Sequence, residues 1–566
     1  MTAARRRRQT WLLMLAALAW AALMAPLTGW GLPSSKADRF LFPSGQPWSA
    51  DGYQAGAALE ERANRVGGAD TDLNPLGDRE NLLTLNQTPA ERAEILRRYR
   101  LFSRQPDEMI TFMALQRMRP GAGDFDPQLY QYGGVYIYSV GAALAVAHGV
   151  GLARITSDSG FYLEHPDAFG RFYVVARLIS LAFGALALIV AFCFARRIAG
   201  TRAGWLAMAL LAISPVFIVG ALEAKPHLAS ATLLLFAAHM FSLRGDAPTT
   251  RGAIALGVII GLAMGFVLTG AVGGLIPIAA MVFPPFRAQW RRWLLVGVVA
   301  VAVYAATNRY FVYNALLHRE KIAGNIDNST AMYAVGRFGA GAARVGALFS
   351  EGVGPVTAAL ALFGAWWCAR RFGSKASVAA APMIGIVLIA IAIGAGKPDE
   401  FGRFLVAPVM LACVLAAVGA RRLTRNRAAL AGIFVFAAMV GGGWRYLRAF
   451  AIDARGVSES RTQAATWLQA ETGDAPIALT QEPAPYSVPP MDFASRRVML
   501  LPRQAPADTT IALPEWLVRT ADRESTEPDA WWRARYELSR AFGADWPASV
   551  SWADKPVFVY RLRQGG

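Results

Sequence analysis

The chain has 566 residues, of which 55% are hydrophobic and 17% are charged, and its net charge is +18. This composition excludes a disordered chain, a coiled coil, a collagen and a disulfide scaffold, and it is too apolar for an ordinary soluble enzyme. The arginines cluster at the ends of apolar segments, so we interpret them as determinants of membrane topology rather than as a surface for nucleic acid. The three cysteines lie in apolar runs without a neighbouring histidine, so neither a disulfide nor a metal site is expected.

The N-terminus carries four consecutive arginines, Arg5 to Arg8, followed by about 20 apolar residues. A cleaved signal peptide is the alternative, but the apolar stretch is long and lacks a clear A-x-A cleavage site. We therefore predict that residues 1–31 form a cytoplasmic tail and a first transmembrane helix.

Ten further apolar runs follow the first one. A bilayer core needs roughly 20 apolar residues per helix, and these runs are continuous rather than alternating, which excludes a β-barrel. The sequence thus predicts an α-helical polytopic membrane protein. The runs begin near Tyr173, Gly204, Leu228, Gly252, Ala271, Trp293, Gly352, Val378, Phe404 and Ala428.

Residues 133–155 decide the topology, because they form one more candidate span. If they cross the membrane, there are twelve helices and several arginine-rich gaps face outward. If they do not, about eleven helices cross, and the six cytoplasmic segments carry 19 basic residues against one acid, Asp246. The positive-inside rule favours the second arrangement. We therefore predict that residues 133–155 form an interfacial or re-entrant helix on the outer face.

This topology divides the chain into four parts. After the first helix come a long outer loop with interfacial helices, residues 32–172, and transmembrane helices 2–11, residues 173–446. Residues 447–566 form a small soluble α/β domain, because RTQAATWLQAE has helical spacing while PIALT and VFVYRL have strand composition. We expect the bacterial inner membrane, with a cytoplasmic N-terminus and a periplasmic C-terminal domain.

An acidic pair stands out in the first outer loop. In FSRQPDEMITFMALQRMRP, Asp107 and Glu108 follow Pro106 and open an amphipathic helix. A structural explanation is available, since acids after a proline commonly satisfy the free N–H groups and the dipole of a helix start. Ionisable groups at a membrane boundary are nevertheless functional candidates, because they are costly to place there.

The order of motifs resembles that of the GT-C membrane glycosyltransferases. The closer likeness is to the glycosyltransferase family 39-like branch, which contains the protein O-mannosyltransferases and the lipid A aminoarabinose transferase. It extends over about residues 100–420. The motifs after the acidic pair are GAGDFDPQLYQYGG, RLIS, RRIAGTRAGWLAMALLAISP, EAKP, GLAMGFVLTGAVGGLIP, ATNRYFVYN and GRFLVAP.

The resemblance implies an inverting glycosyltransferase of the GT-C fold. It would move a sugar from a polyprenyl-phosphate donor to a hydroxyl acceptor at the outer face. The acidic pair Asp107 and Glu108 would be catalytic, with Asp107 as the general base within reach of the acceptor hydroxyl. Cations would meet the leaving phosphate, with Arg403 as the first choice and Lys225 and Arg177 next.

The second outer turn departs from the family pattern. Family members often have an aspartate after AKP, whereas this chain has His227. Glu223, one helical turn earlier, is a candidate substitute, and His227 is a candidate for proton transfer. Lys397, which like Lys225 precedes a proline at an outward helix end, is a further candidate contact for donor or acceptor.

No cofactor and no metal are expected, since the donor is a lipid-linked sugar and the acids are not grouped as oxygen ligands. The expected partners are the bilayer, the polyprenyl-phosphate sugar and a hydroxyl of a glycan, lipid or protein, but no nucleic acid. Two other functions stay open. One is a transporter or flippase of lipid-linked sugars, which would carry charges near the membrane midplane. The other is a non-catalytic envelope scaffold or sensor that binds through its C-terminal domain.

Overall fold

The computed structural model is mostly helical. It describes residues 3–43, 45–54, 82–244, 248–324, 336, 338–393, 401–424, 427–456, 458–502, 504–506 and 512–563. Its helices are α1 (Ala3–Met24), α2 (Asp38–Leu41), α3 (Pro89–Leu101), α4 (Met109–Arg117), α5 (Gly134–Gly149), α6 (Ser159–Glu164), α7 (Pro166–Ala199), α8 (Thr201–Ala212), α9 (Pro215–Leu222), α10 (His227–Arg244), α11 (Thr250–Phe266), α12 (Leu275–Val282), α13 (Pro284–Arg287), α14 (Trp290–Thr307), α15 (Arg309–Leu317), α16 (Phe338–Val353), α17 (Pro355–Phe372), α18 (Ser374–Ile393), α19 (Val406–Leu423), α20 (Ala428–Ala438), α21 (Trp444–Arg455) and α22 (Ser460–Glu471).

Long apolar helices confirm a multi-pass membrane protein. Within the described ranges, six helices are long and apolar enough to cross a bilayer, or eight if the bent pairs α8–α9 and α16–α17 each count as one span. The pairs bend by 65° and 105°. Three shorter apolar helical segments, 227–243, 250–266 and 268–282, occupy the other predicted runs. Each predicted run is therefore helical, and the number eleven for actual crossings stays a prediction.

Helix α5 occupies the segment that decided the topology. Its 16 residues are fewer than the roughly 20 that a span requires. Its first turn is tied to the ends of two other helices, because Gly133 N–H donates to Phe266 O (2.9 Å) and Gly134 N–H donates to Asn308 Oδ1 (2.7 Å). The helix therefore starts at the membrane face where α11 and α14 end.

Small residues allow two long helices to pack closely. A Cβ on Gly364 of α17 would come within 1.9 Å of Leu415 O on α19, and one on Gly419 would come within 2.4 Å of Leu360 O. Membrane helices gain little from the hydrophobic effect against lipid and rely on such close backbone approach. The α17–α19 contact thus depends on glycine at both positions.

A six-stranded sheet combines one strand of the first outer loop with five strands of the C-terminal region: β1 (Leu83–Thr84), β2 (Ile477–Leu479), β3 (Val498–Leu500), β4 (Trp516–Thr520), β5 (Tyr536–Phe542) and β6 (Val557–Leu562). Their order in the sheet is β1-β3-β2-β4-β6-β5. Strand β2 pairs in parallel with β3 and β4, and the other pairings are antiparallel. The α/β class predicted for this region is confirmed, including the helix and both strands expected from its sequence.

The first outer loop is built into this C-terminal region. Strand β1 comes from the loop, and Asn86 Nδ2–H donates to Phe493 O at 2.8 Å. Helix α3 begins with a capping box at Thr88 and Glu91, and its Tyr99 O–H donates to Val488 O at 2.9 Å. The main apolar cluster runs from the helices into this sheet, and two smaller clusters, one among the helices and one on the sheet, lie apart from it. The last membrane helix continues past the predicted boundary at 446, and α21 ends at Arg455.

We predict that Gly364→Leu destabilises the protein by at least about 1–3 kcal/mol, because the side chain must force α17 away from the α19 backbone. The unfolding midpoint of the purified protein in detergent measures this. Gly297→Leu on α14 is the matched control, since a Cβ there meets nothing within 4 Å. Equal midpoints for both variants would contradict the packing argument.

Candidate active site

Three predicted outer segments meet at one end of the helix bundle. They are the start of α4, the turn between α9 and α10, and the short 3-10 helix Phe401–Leu405 that precedes α19. They bring together five of the predicted site residues: Asp107, Glu223, Lys225, His227 and Arg403. We call this end of the bundle the Asp107 face.

The acidic pair does not cap its helix. Gln105 Oε1 accepts hydrogen bonds from the Asp107 N–H (2.7 Å) and the Glu108 N–H (3.0 Å), and the Glu108 side chain makes no capping bond. The apolar face of α4 packs as predicted, with Phe112 against the ring of Tyr173. The side chain at the N-cap position is therefore not used to cap α4, and the amides of the acidic pair are themselves bonded to Gln105.

Asp107 lies between two cations. Its Oδ2 is 3.1 Å from Lys225 Nζ and also contacts the Arg403 guanidinium. Its side chain is 13% exposed. Burial opposes ionisation, but Arg403 and then Lys225 outweigh it and hold the pKa of Asp107 well below its usual range. Asp107 is therefore an ionised carboxylate at neutral pH.

Glu223 shares the same lysine. Its Oε2 is 3.3 Å from Lys225 Nζ, and its side chain is 6% exposed. Burial raises the pKa of Glu223 to about 7, opposed by Lys225 and assisted by the nearby charges of Glu108 and Asp107. The carboxyl group of Glu223 thus titrates near neutral pH, unlike that of Asp107.

Glu108 and Arg177 form a separate, fully buried ion pair. Both side chains are 0% exposed, and two hydrogen bonds of 2.8 Å and 2.6 Å join the guanidinium to the carboxylate. Glu108 also accepts from Ser103 Oγ–H (2.6 Å), and Arg177 also donates to the carbonyls of Thr28 and Trp30. In this geometry each charge is bonded to the other and to these partners, and the roles of Glu108 in catalysis and of Arg177 in phosphate binding stay predictions.

The buried pair positions the turn that carries Lys225. Glu108 Oε1 accepts from the Ala224 N–H at 2.6 Å, and Trp30 Nε1–H donates to Leu222 O at 2.9 Å. The positions of Asp107 and Lys225 relative to each other are consequently fixed, because their neighbours in the chain are bonded to one another.

The ring of His227 packs between two aromatic side chains at the Asp107 face. Its ring stands edge-on between Tyr132 and Phe404, with centroids 6.0 Å and 5.9 Å away. Its Nδ1 is buried and has no hydrogen-bond partner among the described residues. Tyr132 O–H also reaches the backbone oxygen of Asp107 at 3.4 Å.

Two narrow cavities share His227 and Arg403. One runs between α10 and α18 over apolar side chains that include Leu234, Ile386 and Ile389. The other lies under the C-terminal region and contains Glu223 and Lys225. They measure about 20 Å³ and 30 Å³, enough for a water molecule or two. A sugar phosphate requires Arg403 or its neighbours to move.

The C-terminal region closes the second cavity with Val550 and Trp552. Val550 N–H donates to Tyr446 O–H at 3.1 Å, and Lys555 Nζ lies 4.2 Å from the centre of the Trp552 ring. Sequence reasoning missed Gln105, Tyr132 and Trp552. Gln105 and Tyr132 lie within quoted motifs but were not singled out there, whereas nothing in the sequence links Trp552 to Arg403, about 150 positions earlier.

Lys397, the remaining predicted residue, lies outside the described residues. Within the described ranges, no group of three or more His, Cys, Asp or Glu side chains is arranged to hold a metal ion. Asp107, Glu108 and Glu223 are each engaged with a basic side chain.

One known protein family matches a segment of the chain that includes part of this site. Residues 168–311 match the model of the dolichyl-phosphate-mannose-protein mannosyltransferase family. The match confirms the resemblance predicted from the sequence. It includes Arg177, Glu223, Lys225 and His227 but neither Asp107 nor Arg403. No curated protein matches the chain.

Two solved structures are similar to this chain. ArnT from Cupriavidus metallidurans bound to undecaprenyl phosphate is 15% identical, with a TM-score of 0.43, over 89% of this chain and 97% of that one. The oligosaccharyltransferase AglB from Archaeoglobus fulgidus, in complex with an inhibitory peptide and a dolichol-phosphate, is 15% identical, with a TM-score of 0.36, over 75% of this chain and 58% of that one.

We predict that Glu108→Gln lowers the free energy of unfolding by about 3–5 kcal/mol, because Arg177 is left as an unpaired buried charge. Unfolding of the purified protein in detergent measures this. Glu515→Gln is the control: Glu515 pairs with Arg561, but both side chains are about half exposed, so a loss below about 1 kcal/mol is expected. Similar losses in both variants would contradict a structural role for the buried pair.

We also predict a pH dependence from Glu223. A carboxyl group whose pKa is higher in the folded state stabilises the protein fully below its unfolded pKa of about 4.5, and that contribution is lost as pH rises through about 7. Glu223→Gln should therefore gain stability relative to the parent protein between pH 5 and pH 8. Melting temperatures at both pH values test this, with the exposed Glu471→Gln as the control. A pH-independent difference would refute it.

Proposed function

We propose that this chain is an inverting glycosyltransferase of the bacterial inner membrane. It transfers a sugar from a polyprenyl-phosphate donor to a hydroxyl acceptor at the Asp107 face. The proposal rests on the cluster of Asp107, Lys225 and Arg403, in which an ionised carboxylate contacts two cations. This cluster lies where an apolar cavity reaches the end of the bundle. The match of residues 168–311 to a glycosyltransferase family supports the same reaction class.

In the proposed reaction, the acceptor oxygen attacks the anomeric carbon while its proton passes to the Asp107 carboxylate. The bond between the anomeric carbon and the phosphate oxygen breaks, and the electron pair leaves with the polyprenyl phosphate. Attack opposite to the leaving group inverts the anomeric carbon. Arg403 and Lys225 stabilise the charge that develops on the phosphate in a poorly solvated place.

Competition for these cations couples donor binding to catalysis. In the structure Lys225 and Arg403 are engaged with Asp107, which keeps it a weak base. A donor phosphate placed between the cations withdraws part of their charge from Asp107, and the pKa of Asp107 then rises. The carboxylate is thus a stronger base when the donor is bound. Glu223, which titrates near pH 7, adds a negative charge beside Lys225 when it is ionised.

The two cavities suggest how the substrates approach. The apolar one offers a path for the polyprenyl chain along α10 and α18 towards Arg403. The polar one, closed by Trp552, offers room for the sugar and the acceptor once Arg403 moves. The arginines in the last turns of α7 and α19 lie at the other bundle end, so we place the Asp107 face in the periplasm. In this proposal, Glu108 and Arg177 fix the positions of the site residues without contacting substrate. No cofactor or metal takes part.

Asp107→Asn should lower transfer by a factor of about 10²–10⁴, because the amide cannot accept the proton. The assay supplies purified protein in detergent with a radiolabelled undecaprenyl-phosphate hexose or pentose and a glycolipid extract, and measures released undecaprenyl phosphate. Detergent removes the compartments that transport needs, so turnover by the parent protein also excludes a flippase.

The control is Asp124→Asn in the same loop, since Asp124 is partly exposed and pairs with Arg119. This variant should keep full activity. Full activity of Asp107→Asn would refute the base assignment. Absence of turnover in the parent protein with every donor tested would favour the transporter or scaffold interpretation.

A further inference from the structure

A further cavity, separate from the two at the proposed active site, lies at the bundle end opposite the Asp107 face. It has a volume of about 290 Å³ and opens between α8, α19 and α20. Helix α19 begins beside Arg403 and rises about 27 Å over its 18 residues, nearly a bilayer thickness. The cavity at its far end is therefore separate from the proposed catalytic site.

The walls of this cavity are apolar. They include Trp205 and Leu206 of α8 and Ala431 and Val435 of α20. The neighbouring side chains Ile433 and Phe436 on α20 are 58% and 70% exposed, as expected for a helix that faces hydrocarbon. The cavity thus lies at a depth where acyl chains are the surrounding solvent.

The rim of the cavity is basic. Arg202, Arg421 and Arg427 line it, and the described lining residues include no aspartate or glutamate. The Arg421 guanidinium lies against the backbone at the start of α8, since a Cβ on Gly200 would come within 2.6 Å of its Nη1. This contact places Arg421 beside Arg202, so positive charge concentrates at one end of an apolar cleft.

From this combination we infer a binding site for an anionic diacyl phospholipid of the adjacent leaflet. The phosphate group lies among Arg202, Arg421 and Arg427, and an acyl chain fills the cleft against Trp205 and Val435. Basic pockets between membrane helices bind acidic head groups in this way. A soluble anion would meet the basic rim but leave the apolar cleft unfilled, whereas a zwitterionic lipid would bring an ammonium group to that rim. The inference does not depend on the proposed catalytic function.

The full-length protein in a neutral detergent, titrated with dioleoyl phosphatidylglycerol, tests this site. Native mass spectrometry counts the retained lipid, and the unfolding midpoint reports stabilisation by mass action. Arg421→Gln/Arg427→Gln should weaken binding about 25-fold, since each arginine near an anionic head group contributes about 1 kcal/mol, or fivefold. Dioleoyl phosphatidylcholine should not be retained.

The matched control is Arg370→Gln/Arg371→Gln. These two exposed arginines lie in the last turn of α17 and do not line the cavity. The control variant should bind phosphatidylglycerol like the parent protein. Equal binding by both double variants, equal loss in both, or equal retention of phosphatidylcholine would each overturn the site. Midpoints measured without lipid show whether the variants remain folded.

Discussion

The buried ion pair between Glu108 and Arg177 holds four separate segments of this molecule together. It joins the first outer loop, the end of α1, helix α7 and the turn before α10 through hydrogen bonds to both side chains and to backbone groups. Two charges without solvent contact are stable only when nearly all their hydrogen-bonding capacity is used. That condition is met here by Ser103, Thr28, Trp30 and Ala224. The pair therefore defines the geometry of the site next to it.

Adjacent residues in this loop have opposite surroundings. Glu108 points into the protein and is fully paired, whereas Asp107 points to the junction of two cavities and shares Lys225 and Arg403. The same two cations serve the carboxylate and, in the proposed reaction, the leaving phosphate. Electrostatic competition of this kind needs no large domain movement, but it does require Arg403 to leave its contact with Asp107.

The C-terminal region is part of the site rather than an appended module. Strand β1 and helix α3 of the first loop belong to its sheet and its core, and Trp552 covers the cavity that contains Lys225. In the proposed reaction, a substrate at Asp107 would therefore contact both the helix bundle and the C-terminal region. This joint construction places the polar chemistry where lipid and water meet.

The sequence by itself determined the features that depend on local patterns. The long apolar runs, the arginine-rich ends, the amphipathic helix after Pro106 and the C-terminal helix and strands follow from periodicity and charge, and the structure contains them. The resemblance to a family identified Asp107, Lys225 and Arg403 as candidates from three distant stretches. Only the tertiary structure decided which charges are partners. Glu108 and Arg177 carry the same charges as Asp107 and Arg403, so no charge pattern in the chain separates the buried pair from the pair at the cavities. Burial and hydrogen-bond geometry make that distinction, because they arise from packing between segments far apart in the chain.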